Sequence, residues 1–350
     1  MNYRFQRLMR KESKQMESIL GATIMLVTSL AVENFVHYLS RHRQLKLEKT
    51  SSILFICDLN HFAIVKDTVE FMRPHYFSVE AWLIEKQQQL VEQLEQLSQF
   101  DAIILLYDNA AAEVSTPYGN LIFQPLVALM EADMKQTTKR RIFAAFDIAD
   151  YFDEIYSHSL GFYENLHKAI IARLTKAKKM TFISHHGCVS ASCDQASPWA
   201  HTEALEGSIL PAEIAGFAAD LSGEIAFQGA ILGKLPFMQK HGLIEDDVIL
   251  TLENARVIDY HTENRALQED LDYYFSRCED NKTICELGIG TNIGLSKLRP
   301  INAFAQERYA GFHLGFGGRS NQSMHLDFIF AQAEIECDGV ALFKNRQFCL

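Results

Sequence analysis

Three short apolar runs constrain the fold most: residues 51–58 (SSILFICD), 102–107 (AIILLY) and 141–146 (RIFAAF). They lack polar alternation, the pattern of strands buried on both faces. Segments of helical character surround them at 62–73, 80–98 and 160–178. In the second, Leu83, Leu90, Leu94 and Leu97 are separated by Gln and Glu, which predicts a helix with a solvated face. Strands alternating with helices imply a parallel sheet covered on both sides. The first half is therefore expected to be a Rossmann-like α/β unit. CDLNHF follows its first strand where a dinucleotide binder carries G-x-G-x-x-G, so dinucleotide binding is not supported.

From about residue 181 the texture changes. Short β-like runs at 213–218, 224–232, 247–252, 255–261, 283–289, 310–316, 326–330 and 340–344 surround one helical segment at 264–277. This is a β-rich α+β domain. The chain thus divides into a helical extension at 1–40, a Rossmann-like domain at 41–178 and a β-rich domain at 179–350. The fold class is α/β plus α+β.

Composition narrows the function classes. With 33 Lys+Arg against 44 Asp+Glu, the net charge of −11 offers no footprint for a phosphate backbone, so nucleic acid is not an expected partner. The seven cysteines form no CxxC pair, and the number is odd. Reduced, buried thiols in a cytoplasmic protein are expected rather than a disulfide framework or a zinc ribbon. Residues 19–32 are mostly apolar and follow several basic residues, but the run is short for a membrane span of ~20 residues. A buried or partner-packed helix is expected there, not a membrane anchor.

The chemistry concentrates where the glycines do. Of 18 glycines, seven fall between Gly288 and Gly318. In MHLD, His325 and Asp327 are two apart and share one face of a strand. GFGGRSNQS connects them to the preceding strand, which carries His313, and a hairpin would bring all three together. Glu286 lies in the apolar run ICELGIG, where a carboxylate is costly unless paired or metal-bound. Two imidazoles and two carboxylates form a nitrogen and oxygen ligand set for Zn²⁺, Mn²⁺, Co²⁺ or Fe²⁺. Glycines let the backbone approach closely around such a cleft.

The order ELGIGTN, Glu307-Arg308, GFHLGFGG, HLDFI and Asp338-Gly339 resembles the leucyl aminopeptidase family typified by aminopeptidases T and S. LPAE at 210–213 is similar to that family's LPAGE segment. The match covers about residues 205–345. The resemblance implies metal ligands at Glu213, Glu286, His313, His325 and Asp327, holding one or two Zn, Co or Mn ions. Glu286 would bridge the ions or act as general base. The implied reaction is cleavage of an amide next to a free amine in a short peptide or small molecule, by a homodimer. Two departures stand out. LPAE is one residue short of LPAGE. The tyrosine that the family places after the GTxH histidine has no counterpart in GFGGRS, where Arg319 is the polar group available to a substrate carboxylate.

A related group, the dihydroxypyridine dioxygenases, keeps the HxD pair but uses one Fe²⁺ held by two His and one carboxylate, with a histidine where this chain has Glu286. A mononuclear non-haem Fe(II) oxygenase acting on a small aromatic or amino-acid-derived substrate is therefore the alternative. His201 is a further candidate for the cleft wall. His185 and His186 are adjacent, so they point to opposite faces of a strand and are poor partners for one ion. Cys188 and Cys193 show no activating cluster.

Overall fold

The computed structural model describes residues 28–109, 122–134, 141–201, 208–233 and 235–350. The segment 1–27, and with it most of the apolar run at 19–32, lies outside the described residues. The helix Ser29–Arg41 is capped by Thr28, whose side chain accepts from the Ala31 N–H. It buries Phe35, Tyr38 and Leu39 completely or nearly so.

Strands β1 (Ser52–Cys57), β2 (Ser78–Leu83), β3 (Ala102–Tyr107) and β4 (Ile142–Phe146) form a parallel sheet in the order β2-β1-β3-β4. Every residue of β3 is buried, as its unbroken apolar run requires. The segment 80–98 differs from the helix expected there. Residues up to Leu83 form the edge strand β2, and only Gln87–Gln93 is α-helical before a 3-10 stretch at Leu94–Gln99. The parallel ladder with β1 outweighs the weak local helical pattern.

The helix Leu160–Lys176 leads into a large antiparallel sheet. Its strands include β5 (Lys179–Ile183), β6 (Gly187–Ser192), β7 (Ala200–His201), β8 (Glu213–Gly216), β9 (Ser222–Gly233), β10 (Ile244–Glu253) and β11 (Arg256–Thr262). After the helix Arg265–Arg277 come β12 (Ile284–Gly290), β13 (Gly311–Phe316), β14 (Leu326–Phe330), β15 (Glu334–Cys337), β16 (Val340–Lys344) and β17 (Gln347–Phe348). Its central path runs β9-β14-β13-β12-β8-β7. Phe227, Phe312, Phe316, Phe328 and Phe330 pack in one core on this sheet. A second core joins the two halves: Phe55, Tyr156 and Tyr163 share it with Leu210, Leu232 and Ile329.

All seven cysteines are free. Cys57 and Cys337 are buried as expected, but Cys188 and Cys349 are exposed. Among the described residues, no helix is long and apolar enough to cross a membrane.

Candidate metal centre

Four adjacent strands each bring part of one cluster. Glu213 opens β8, Glu286 lies on β12, His313 on β13, and His325 and Asp327 lie at and within the start of β14. The antiparallel register sets each of these groups except His325 opposite a glycine. Glu213 pairs with Gly290, His313 with Gly288, and both Glu286 and Asp327 with Gly315. The glycines are therefore room for the side chains. A Cβ on Gly288 would lie 2.0 Å from the His313 ring. One on Gly315 would lie 2.8 Å from the Glu286 Cβ and 2.9 Å from the His325 ring. At all three distances a side chain in place of hydrogen would force its neighbours to shift.

The cluster has two halves that share Glu286. In the inner half, His313 Nε2 lies 3.1 Å from Glu213 Oε1 and 3.9 Å from Glu286 Oε1. In the outer half, His325 Nε2 lies 2.9 Å from Asp327 Oδ1 and 3.9 Å from Glu286 Oε2. Each half places three ligand atoms within 4.8 Å of one another. His313 and Asp327 are buried, yet neither ring nitrogen of His313 and not Asp327 Oδ1 makes a hydrogen bond. Short separations without hydrogen-bond alignment mean that these atoms do not satisfy one another. Buried polar atoms in that state call for an ion or water, and imidazole with carboxylate oxygen suits a divalent metal ion. The residues fit the group that the sequence resemblance implies.

Electrostatics agree. Burial opposes a charged ring at His313, but Glu213 and Glu286 outweigh it and hold its pKa well above the usual histidine range. Burial likewise opposes charge on His325, but Asp327, helped by Cys285, pushes its pKa up to about 11. The cluster thus attracts cations, and protons occupy the ligand atoms when no metal does. Burial, reinforced by Asp327, pushes Glu307 up to about 8 against the pull of Arg308.

Four side chains at the site were not singled out as candidates by sequence reasoning. Arg308 is buried and ion-paired to Glu213, and it lies 2.9 Å from Glu307 Oε2. The acidic-basic pair at 307–308 was visible as a motif, but nothing in its spacing aims it at Glu213. Cys285 Sγ lies 3.4 Å from His325 Nδ1, on the side opposite the ligand nitrogen. The hinge between β13 and β14 is held by Tyr274, whose hydroxyl donates to the Met324 carbonyl at 2.7 Å, and by Asn281, whose side-chain oxygen accepts from the Met324 N–H. Met324 precedes His325, so these bonds fix where that ring begins.

An open pocket of about 320 Å³ adjoins Glu286, lined also by Cys285, Ser197, Ala215 and Phe217. Arg319 lies over the Phe217 ring, 4.6 Å from its centroid, beside this pocket rather than among the ligand atoms. The backbone of His201 lies on β7, whose Ala200 lines the pocket; its side chain is outside what is described. His185 Nε2 lies 2.8 Å from Asp247 Oδ1 and belongs to neither half.

A second histidine-carboxylate cluster sits at the C-terminal ends of β1 and β3. Asp58, His61 and Asp108 place ligand atoms equally close together. Its bonding is complete, however. His61 Nε2 accepts from the Ile148 N–H, so Nδ1 carries the proton and donates to Asp58 at 2.8 Å. Asp58 Oδ2 accepts from the Asp108 N–H. These bonds tie two strand ends together and leave His61 no nitrogen for a metal.

A family model described as crocagin biosynthetic protein CgnE/B matches residues 221–338, the strands that carry four of the five ligand candidates. No curated protein sequence matches the chain. Among solved structures, wild-type AmpT from Thermus thermophilus superposes with a TM-score of 0.59 at 14% identity, covering 91% of this chain and 99% of that one. The 2,5-dihydroxypyridine dioxygenase from Pseudomonas putida KT2440 superposes with a TM-score of 0.54 at 16% identity, covering 91% and 96%. At such identities the likeness shows a shared fold. That fold is common to an aminopeptidase and a dioxygenase, and on it this chain carries two adjoining groups of residues that could hold a metal ion.

Proposed function

We propose that the chain is a metal-dependent hydrolase that cleaves an amide bond next to a free amine in a short peptide or small molecule. The observation that carries this reading is the pair of three-ligand groups joined through Glu286. Glu213, Glu286 and His313 would serve one position, and Glu286, His325 and Asp327 the other. A divalent ion bound there polarises a carbonyl and lowers the pKa of water toward neutrality. Glu286 is the ligand carboxylate that faces the pocket, and it would either bridge the two positions or take a proton from attacking water and return it to the leaving amine. The Glu286 carboxylate in the pocket wall would attract an ammonium group. Arg319, beside the pocket, is positioned for a substrate carboxylate.

The second reading is a mononuclear non-haem Fe(II) oxygenase, favoured by the fold shared with a dioxygenase. It calls for two histidines and one carboxylate around one ion. Here His313 and His325 fall in different groups, which counts against it. Incubating the metal-loaded protein with leucine p-nitroanilide, and separately following oxygen uptake with iron and dihydroxypyridines, distinguishes the two. The hydrolase reading expects release of nitroaniline and a loss of orders of magnitude in Glu286→Ala with an unchanged circular dichroism spectrum. Near-normal turnover in that variant would remove Glu286 from the mechanism. Oxygen uptake without amide cleavage would favour the oxygenase.

A further inference from the structure

We infer that Arg308 supplies the fixed positive charge of the inner half of the cluster, so that the chain holds a single divalent cation, in the outer half, between Glu286, His325 and Asp327. This rests on the metal-dependent reading above and decides how many ions that reading involves. The two halves are alike in ligand type but differ in what surrounds them. In the inner half, the Arg308 guanidinium is ion-paired to Glu213, and both side chains are buried, at 5% and 3% exposure. In the outer half no Lys or Arg contacts Asp327 or His325 among the described residues, and His325 and Glu286 are 38% and 31% exposed.

Charge favours the same assignment. The three ligand carboxylates, Glu213, Glu286 and Asp327, face one guanidinium, which leaves two negative charges in excess. One divalent ion with neutral imidazoles brings the set to neutral, or to one negative charge if Glu307 is ionised. A second ion would leave an excess of one or two positive charges in a buried site, where repulsion is weakly screened. It would also share the Glu213 carboxylate with a guanidinium already seated on it. Arginine stays charged at any ordinary pH, so it can stand permanently where an exchangeable ion would otherwise be needed.

The test is the metal-to-protein ratio after equilibrium dialysis of the chelator-stripped full chain against Zn²⁺, and separately Mn²⁺, read by plasma mass spectrometry. The inference expects one ion per chain, none in Asp327→Asn, and still one in Glu213→Gln and in Arg308→Lys. Two ions in the parent chain, falling to one in Glu213→Gln, would overturn the inference and leave the hydrolase reading intact. One ion that survives Asp327→Asn but not Glu213→Gln would overturn it as well. No ion in the parent chain would overturn both. Circular dichroism on each variant guards against unfolding, and the parent ratio decides without any variant.

Discussion

Among the described residues, two clusters hold a histidine between carboxylates at ligand distance, and one of them has unmet bonding. At the ends of β1 and β3, His61 uses both ring nitrogens and Asp58 uses both oxygens. On β8, β12, β13 and β14, Asp327 Oδ1 in the outer half makes no hydrogen bond although it is buried. The first position is the more inviting by topology, because β1 and β3 flank the point where the strand order β2-β1-β3-β4 reverses, and open α/β sheets bind ligands there. Proximity of ligand-type residues is thus a poor guide by itself. Whether their lone pairs are already engaged separates a structural lock from a site waiting for a cation.

The comparison can be broken most forcefully by removing ligands. Asp327→Ala or His325→Ala should weaken metal binding by more than the roughly 10- to 100-fold typical of changes outside the ligand set, as read by metal titration. His61→Ala should leave that titration unchanged. It should instead lower stability by about 1–3 kcal/mol, because the Ile148 N–H and Asp58 lose buried partners; urea unfolding measures this. If His61→Ala abolishes metal binding, the contrast is wrong.

Gly288→Ala sharpens it next. The added methyl would lie 2.0 Å from the His313 ring, so backbone and ring must shift, at a cost of roughly 1–3 kcal/mol for overpacking. Gly161→Ala, with nothing within 4 Å of the new Cβ, should change stability by at most about 1 kcal/mol, in the stabilising direction. Equal thermal shifts in the two variants would deny that Gly288 is kept for the ring.

A further contrast lies in pH dependence. In metal-free protein, the His325 pKa is raised to about 11 from an ordinary value near 6.5. Its charged form is therefore favoured by folding. That stabilisation is complete below about pH 6.5 and is lost as pH rises through about 11. Metal-free protein should melt at progressively lower temperature from neutral to alkaline pH. Metal-loaded protein, in which the ring is already neutral, should lack this slope. Metal binding near pH 7 should also release protons, seen as a buffer-dependent heat in calorimetry.

Much of this arrangement was legible in the sequence. Strand runs at 310–316 and 326–330 lie within a residue of β13 and β14, because alternating faces and flanking turns are local signals. The i, i+2 spacing of His325 and Asp327 and the glycine concentration around Glu286 and His313 pointed to the cluster for the same reason. Other parts depend on distant partners. Strand β2 hid inside a helical pattern because only its ladder with β1 defines it. Arg308 joined Glu213 through a contact that spans the fold, which no spacing along the chain encodes. Likewise, only the hydrogen bonds of His61 reveal that the cluster at β1 and β3 is closed.

The most direct test of the contrast is anomalous diffraction from crystals of the full chain grown with Zn²⁺. A zinc peak bounded by Glu286, His325 and Asp327, with none at Asp58, His61 and Asp108, is the predicted result. A peak at His61, or none near Glu286, would contradict it.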